Sequence, residues 1–108
     1  MGADAPLGAF EEQVLLAVVR TRADAYGMRI RREIERLTDR DVAIGAVYAT
    51  LDRLEAKGHV RSVRSSGDVS RRLFEITRAG ARHLAETRAM RERLWRGVDL
   101  GRILPERG

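Results

Sequence analysis

The segment from Val42 to Gly80 constrains the fold of this chain more than any other. Val47, Leu51 and Leu54 recur at i, i+4 and i+7, which predicts a helix from Ala43 to Lys57, and Gly58 suits the position just past its end. Two short alternating stretches follow at once, His59 to Arg64 and Arg72 to Ile76, with Ser65 to Arg71 between them. They predict a hairpin whose tip includes a Gly67-Asp68 turn. Val60 and Val63 cannot both face inward under strict alternation, so a bulge near Ser62 is expected.

Helices flank this unit. Leu7, Phe10, Val14 and Val18 form a helical stripe that Leu15, Leu16 and Val19 widen, predicting a first helix buried on much of its circumference. Tyr26, Ile30, Ile34 and Leu37 mark a second helix, with Asp24 as its expected N-cap and Gly27 permitting close approach of a neighbour. Thr77 is the expected N-cap of a fourth helix running to about Val98, on which Leu84, Leu94, Trp95 and Val98 share an arc. The fold class is therefore mainly α with a small β-hairpin: three helices plus a wing, then a C-terminal helix. The expected divisions are a tail at 1–6, a winged domain at 7–76, a helix at 77–99 and a tail at 100–108.

Composition narrows the function classes. No apolar run approaches the roughly 20 residues that span a membrane, and residues 1–8 lack the pattern of a signal peptide. A cytoplasmic location without membrane partners is the expectation. With no cysteine among 108 residues, disulfides, thiol catalysis and thiolate zinc sites are excluded. The net charge is +5, and its placement says more than its size. Arg61, Arg64, Arg71, Arg72, Arg78 and Arg82 face only Asp68 and Glu75 between residues 59 and 82, a cluster suited to a polyanion. The neutral alternative is a solvated surface in an arginine-rich protein, Lys57 being the sole lysine.

Five segments resemble the PadR family of winged helix-turn-helix transcriptional regulators. They are Phe10 to Val18, Ala25-Tyr26-Gly27, Val47 to Glu55, Lys57-Gly58-His59-Val60 and Arg71 to Gly80, in order along the chain from about Leu7 to Val98. The resemblance implies a homodimer on a palindromic DNA operator, with repression of nearby genes. It makes the third helix the recognition helix, the hairpin the wing, and the C-terminal helix the dimerisation element. The sequence departs from the family pattern at Ala43, where a capping serine is common, and at Ala49 and Asp52, where proline and a basic residue are frequent.

On this reading the DNA-binding candidates are Gly45, Ala46, Tyr48, Ala49, Thr50 and Arg53 on the third helix, with Arg64, Ser70, Arg71 and Arg72 on the wing. Ala46 and Ala49 suit thymine methyls, Arg53 a guanine edge or phosphate, and Tyr48 and Thr50 phosphate oxygens. Tyr48 has the alternative of a ring supporting the helix, and Arg53 that of an ion pair. Asp52 would repel phosphate or accept from a cytosine amino group. Arg71 and Arg72 are adjacent, hence on opposite sides of a strand, so one can face DNA while the other pairs elsewhere. The dimer-interface candidates are Leu84, Met90, Arg91, Leu94, Trp95 and Val98. Trp95 either fills the dimer core or forms part of an effector pocket for a small aromatic or hydrophobic ligand.

No cofactor or metal is expected, and the chain is not read as an enzyme. His59 begins a strand and His83 lies among arginines, neither with an orienting acid nearby. A helical protein-interaction module remains an alternative; it accounts for the apolar stripes but not for the basic hairpin tip. RNA binding lacks the expected aromatics among the basic strand residues.

Overall fold

The computed structural model describes residues 7–64 and 71–104. Four helices and one hairpin follow in order: α1 (Ala9–Thr21), α2 (Gly27–Thr38), α3 (Ile44–Ala56), β1 (Val60–Arg64), β2 (Arg72–Ile76) and α4 (Arg78–Trp95). Short 3₁₀ turns occupy Arg22–Asp24 and Leu100–Arg102. The Gly67-Asp68 turn, Ser70 and the outermost residues of both expected tails lie outside the described residues.

Three helices enclose the core. Val14, Leu15 and Val18 of α1, Ile30 and Ile34 of α2, and Val47, Leu51 and Leu54 of α3 meet there, with Val60 and Phe74 of the hairpin. The α1 stripe is narrower than its apolar residues suggest: Leu16 is 44% exposed and Val19 is exposed as well. Both project from the side of α1 away from the core residues, as Leu37 does on α2. Periodicity shows that a residue is apolar, not that a partner lies over it.

The start of α2 corrects a second expectation. Asp24 does not cap the helix; it sits in the 3₁₀ turn, where its carbonyl accepts from the Tyr26 amide and its carboxylate lies 3.6 Å from Arg29. Tyr26 is the N-cap residue, in extended conformation and without a side-chain cap. The end of α3 is as expected. The His59 amide donates to the Leu54 carbonyl and the Gly58 amide to that of Glu55, with φ 81° at Gly58, so the last carbonyls of the helix are satisfied.

The strands pair antiparallel in one unbroken register, Val60 with Ile76 through to Arg64 with Arg72. No bulge occurs. Val60 is buried on the face that carries Ser62 and Phe74, while Val63 stands with Leu73 on the other face, partly exposed. Phe74 also donates its amide to the Ala25 carbonyl at 2.9 Å, so β2 is tied to the segment joining α1 and α2.

Thr77 caps α4 as expected, its hydroxyl accepting from the Gly80 amide at 3.0 Å and donating to the Gly58 carbonyl at 2.6 Å. Gly80 lies so close to β1 that an added Cβ would strike the His59 carbonyl oxygen. His83, on its arginine-flanked helix, is buried against His59, the rings 4.7 Å apart. Thr87 is buried one turn on and Leu84 packs against the core rim. The first turns of α4 therefore pack against the hairpin and helices before it. The helix stops at Trp95, three residues short of the expected Val98, because Arg96 turns extended and Gly97 takes φ 80°. Among the described residues, no helix is long and apolar enough to cross a membrane.

Gly80→Ala has no room to relax, because its obstacle is backbone. It should cost about 1–3 kcal/mol and lower the melting temperature by roughly 5–15 °C. Gly45→Ala meets nothing within 4 Å and should leave the thermal melt unchanged or slightly raised.

Candidate nucleic-acid interface

The exposed side of α3 is almost free of bulk. Gly45, Ala46, Ala49 and Ala56 lie there with Arg53, opposite the buried Val47, Leu51 and Leu54. The helix begins at Ala43 without a side-chain cap, as the sequence implies. Thr50 leaves the candidate set: it is 1% exposed and its hydroxyl accepts from Arg53 Nη2 at 3.0 Å. Arg53 remains exposed, and this bond to Thr50, not an ion pair, is its contact.

Tyr48 fills the supporting role weighed for it. Its ring lies against Gly27 at the start of α2, so closely that a Cβ there would collide with the ring carbons and hydroxyl. The close approach expected at Gly27 is thus real, and its partner is Tyr48. The residue is still 39% exposed.

On the wing, Arg71 and Arg72 part company as adjacent strand positions must. Arg72 turns toward α3. Its Nη2 lies 2.6 Å from Glu55 Oε1 and 3.1 Å from Asp52 Oδ1, and its guanidinium sits 4.9 Å from the Phe74 ring centre. Arg72 is therefore a counter-ion to two acids of α3. The charge of Asp52 is thus met within the chain by the wing. Glu55 completes the junction by accepting from the Ser62 hydroxyl at 2.7 Å and the Ser62 amide at 3.1 Å. These bonds place its carboxyl below the ordinary 4.5: the Ser62 hydroxyl acts first, against partial burial, with Arg72 adding to it. For Arg72, burial pulls downward, but hydrogen bonds to Glu55 and Asp52 prevail and raise it.

The Arg71 guanidinium lies 4.3 Å from the centre of the Tyr26 ring. Arg64 is exposed at the end of β1. Between the wing and the helices lies a concavity of about 450 Å³ lined by Tyr26, Met28, Arg32, Tyr48, Arg71 and Arg72. Tyr26 and Arg32 were not anticipated as site residues, since α2 reads in sequence as a supporting helix. A signal did exist. Arg29, Arg31 and Arg36 of α2 each pair with an acid, whereas Arg32 makes no ion pair among the described residues.

The dimer-interface candidates divide in two. Leu84 is committed to its own core, Met90 is half-buried, and Arg91 bonds to Glu12 of α1 at 2.6 Å within the chain. Leu94, Trp95 and Val98 are exposed, Trp95 at 58%, together with Leu100, Ile103 and Leu104. An effector pocket at Trp95 would need a second surface to close over the ring.

The model of the transcriptional regulator PadR-like family matches residues 15–86, two thirds of the chain. The chain belongs to the PadR family. Its fold is similar to that of a PadR-like transcriptional regulator from Bacillus cereus, with 17% identity over 93% of this chain and 95% of the other, at a TM-score of 0.73. A PadR family transcriptional regulator from Eggerthella lenta shares 25% identity over 87% of this chain and 82% of its own, at a TM-score of 0.66. A transcriptional regulator from Clostridium thermocellum shares 22% over 80% and 85%, at a TM-score of 0.69. No curated protein matches the chain. This PadR protein is thus a transcriptional regulator with the winged helix-turn-helix fold expected from its sequence.

Glu55 titrates below its ordinary value in the folded state, so its share of stability is complete above about pH 4.5 and is lost as the pH falls through the lower folded value. Glu55→Gln should flatten that acid limb in urea unfolding followed from pH 7 to pH 3. In a double-mutant cycle with Arg72→Ala, the two changes should couple by at least about 0.5 kcal/mol. Additive losses would mean that the pair contributes nothing.

Proposed function

We propose that this PadR regulator binds double-stranded DNA as a homodimer, laying α3 in the major groove and the wing along the adjoining backbone. The observation that carries this reading is electrostatic. The exposed side of α3 is small, its one acid at Asp52 is met by Arg72, and Arg53 on the helix and Arg64 on the wing are exposed cations. A helix with a low surface approaches base edges closely, and arginines at its margin supply the contacts that fix position. Gly45, Ala46 and Ala49 read shape and thymine methyls, Arg53 supplies the one long donor, and Tyr48 offers its hydroxyl to phosphate.

The second half of this proposal is the dimer. Leu94, Trp95 and Val98, continued by Leu100, Ile103 and Leu104, form an apolar surface that nothing in a single chain covers among the described residues. A second copy covers it most simply and sets two α3 helices about one turn of DNA apart, matching a palindromic operator. Repression follows if the operator overlaps a promoter. A small aromatic or hydrophobic ligand lodged beside Trp95 at the dimer centre would alter the spacing of the two helices and release the DNA.

Mobility shift with duplexes from upstream of the protein's own gene should show a retarded complex at low salt; no binding to any duplex would sink the DNA reading. Arg53→Ala should change the ranking of operator variants by about 1–3 kcal/mol per altered base pair if it reads a base. Sedimentation should give a dimer for the wild type and a monomer for Leu94→Glu/Trp95→Glu, with Trp emission in the wild type shifted to the blue on assembly.

A further inference from the structure

We propose that the turn at residues 100–104 of one chain seats in the concavity between the end of α1 and the outer face of the wing in a second copy. The proposal rests on the homodimer proposed above, and names the surface that covers part of the apolar patch left open there.

The receiving surface lies on the side of the hairpin away from α3. Ser62 and Arg72 turn toward Glu55 of α3, so by strand alternation Val63, Leu73 and Glu75 face the opposite way. With the last turn of α1 they bound a concavity of about 480 Å³, whose lining includes Val19, Arg22, Val63, Leu73, Glu75 and Ile76. Val19 and Val63 are exposed, and so is Leu16, which lies three positions before Val19 and hence beside it on the helix surface. One apolar strip therefore runs from α1 onto the wing.

The occupant is marked by its own geometry. Arg96 leaves α4 in extended conformation and Gly97 takes φ 80°, which turns the chain off the helix axis. A turn then closes on itself. The Asp99 carboxylate accepts from the Gly101 amide at 2.9 Å, and the Leu100 carbonyl accepts from the Ile103 and Leu104 amides. Leu100, Ile103 and Leu104 nonetheless stand outside the core, Ile103 at 76% exposure. Apolar surface gathered on an ordered turn gains its stabilisation only when something covers it.

Three observations make the receiving chain a second copy. The first is reach. α4 starts directly after β2, and its 18 residues carry the chain roughly 27 Å along the helix axis. Arg91 holds that helix to Glu12 near the start of α1, whereas the concavity lies at the end of α1. The turn is thus directed away from the concavity of its own chain. The second is area. A stable interface takes roughly 20–30 residues and about 800 Å² from each partner, far more than Leu94, Trp95 and Val98 supply. Of the five exposed large hydrophobic residues outside the C-terminal patch, three belong to this one strip, namely Leu16, Val19 and Val63. The third is charge. The turn carries Asp99 and Arg102, and the concavity presents Arg22 and Glu75, so each surface offers one acid and one arginine to its opposite. Two-fold symmetry makes the contact twice in each dimer. Each wing is then held on one face by its own Glu55 and on the other by the turn of the second copy.

The chain has no cysteine, so introduced thiols report only the contact under test. Full-length chains carrying Val63→Cys alone and Ile103→Cys alone, distinguished by mass, are mixed and oxidised. A disulfide-linked heterodimer is expected, with neither variant linking to itself. Ile103→Cys linking to its own kind would mean that the turns meet each other, and overturns the proposal. So does a Val63→Cys/Ile103→Cys chain that closes on itself as a monomer. Sedimentation supplies the second readout. Val63→Glu and Ile103→Glu should each raise the dimer dissociation constant about tenfold or more, while Leu37→Glu, on α2 outside both surfaces, should leave it unchanged. A wild type that dimerises while no heterodimer forms, or while both glutamate variants keep its dissociation constant, overturns this contact and leaves the dimer reading intact. A wild type that stays monomeric at every concentration overturns the dimer reading, and the contact with it.

Discussion

One carboxylate joins the two halves of the candidate interface. Glu55, on the last turn of α3, accepts from Ser62 on β1 and from Arg72 on β2. A two-stranded hairpin has little stability of its own, and its direction must be imposed from outside. Phe74 supplies one anchor in the core and the Ala25 carbonyl a second along β2. Neither fixes the angle between the hairpin and α3 as directly as a group on that helix that grips both strands. Because the same arginine also meets Asp52, the junction sets geometry and charge together.

α4 is used differently along its length. Its first turns are locked to the winged domain by Thr77, by Gly80 under the His59 carbonyl and by the stacked His59–His83 pair. From about Arg88 onward it leaves the core, held to α1 by Arg91 on Glu12, and its apolar residues are exposed. A rigid base carrying an uncovered end transmits orientation: whatever covers Leu94 and Trp95 also fixes where α3 and the wing of that chain point.

Most of the fold was legible in the sequence because it rests on local rules. The i, i+4, i+7 pattern located α3, Gly58 its end and Thr77 the start of α4. The errors arose where a local rule met a non-local fact. Asp24 is a good cap by type, but a 3₁₀ turn places it two residues too early. Leu16, Val19 and Leu37 carry the helical period without a covering partner. Val63 needed no bulge, only the opposite face. The site was less legible still. Arg72 pairs with residues 17 and 20 positions earlier on another element, so its spacing carries no trace of the contact. Arg32 and Tyr26 gain significance only when α2, α3 and the wing converge on one concavity.

Gly45, Ala46 and Ala49 carry a further consequence. They are exposed, their side chains enter no hydrogen bond or ion pair of the fold, and a Cβ added at Gly45 meets nothing within 4 Å. Residues with no structural duty are free to vary singly. Substitutions at these three positions would leave Glu55, Arg72 and the core packing in place. The scaffold is therefore constrained at the Glu55–Arg72 junction and in the core, and open to change along this side of α3.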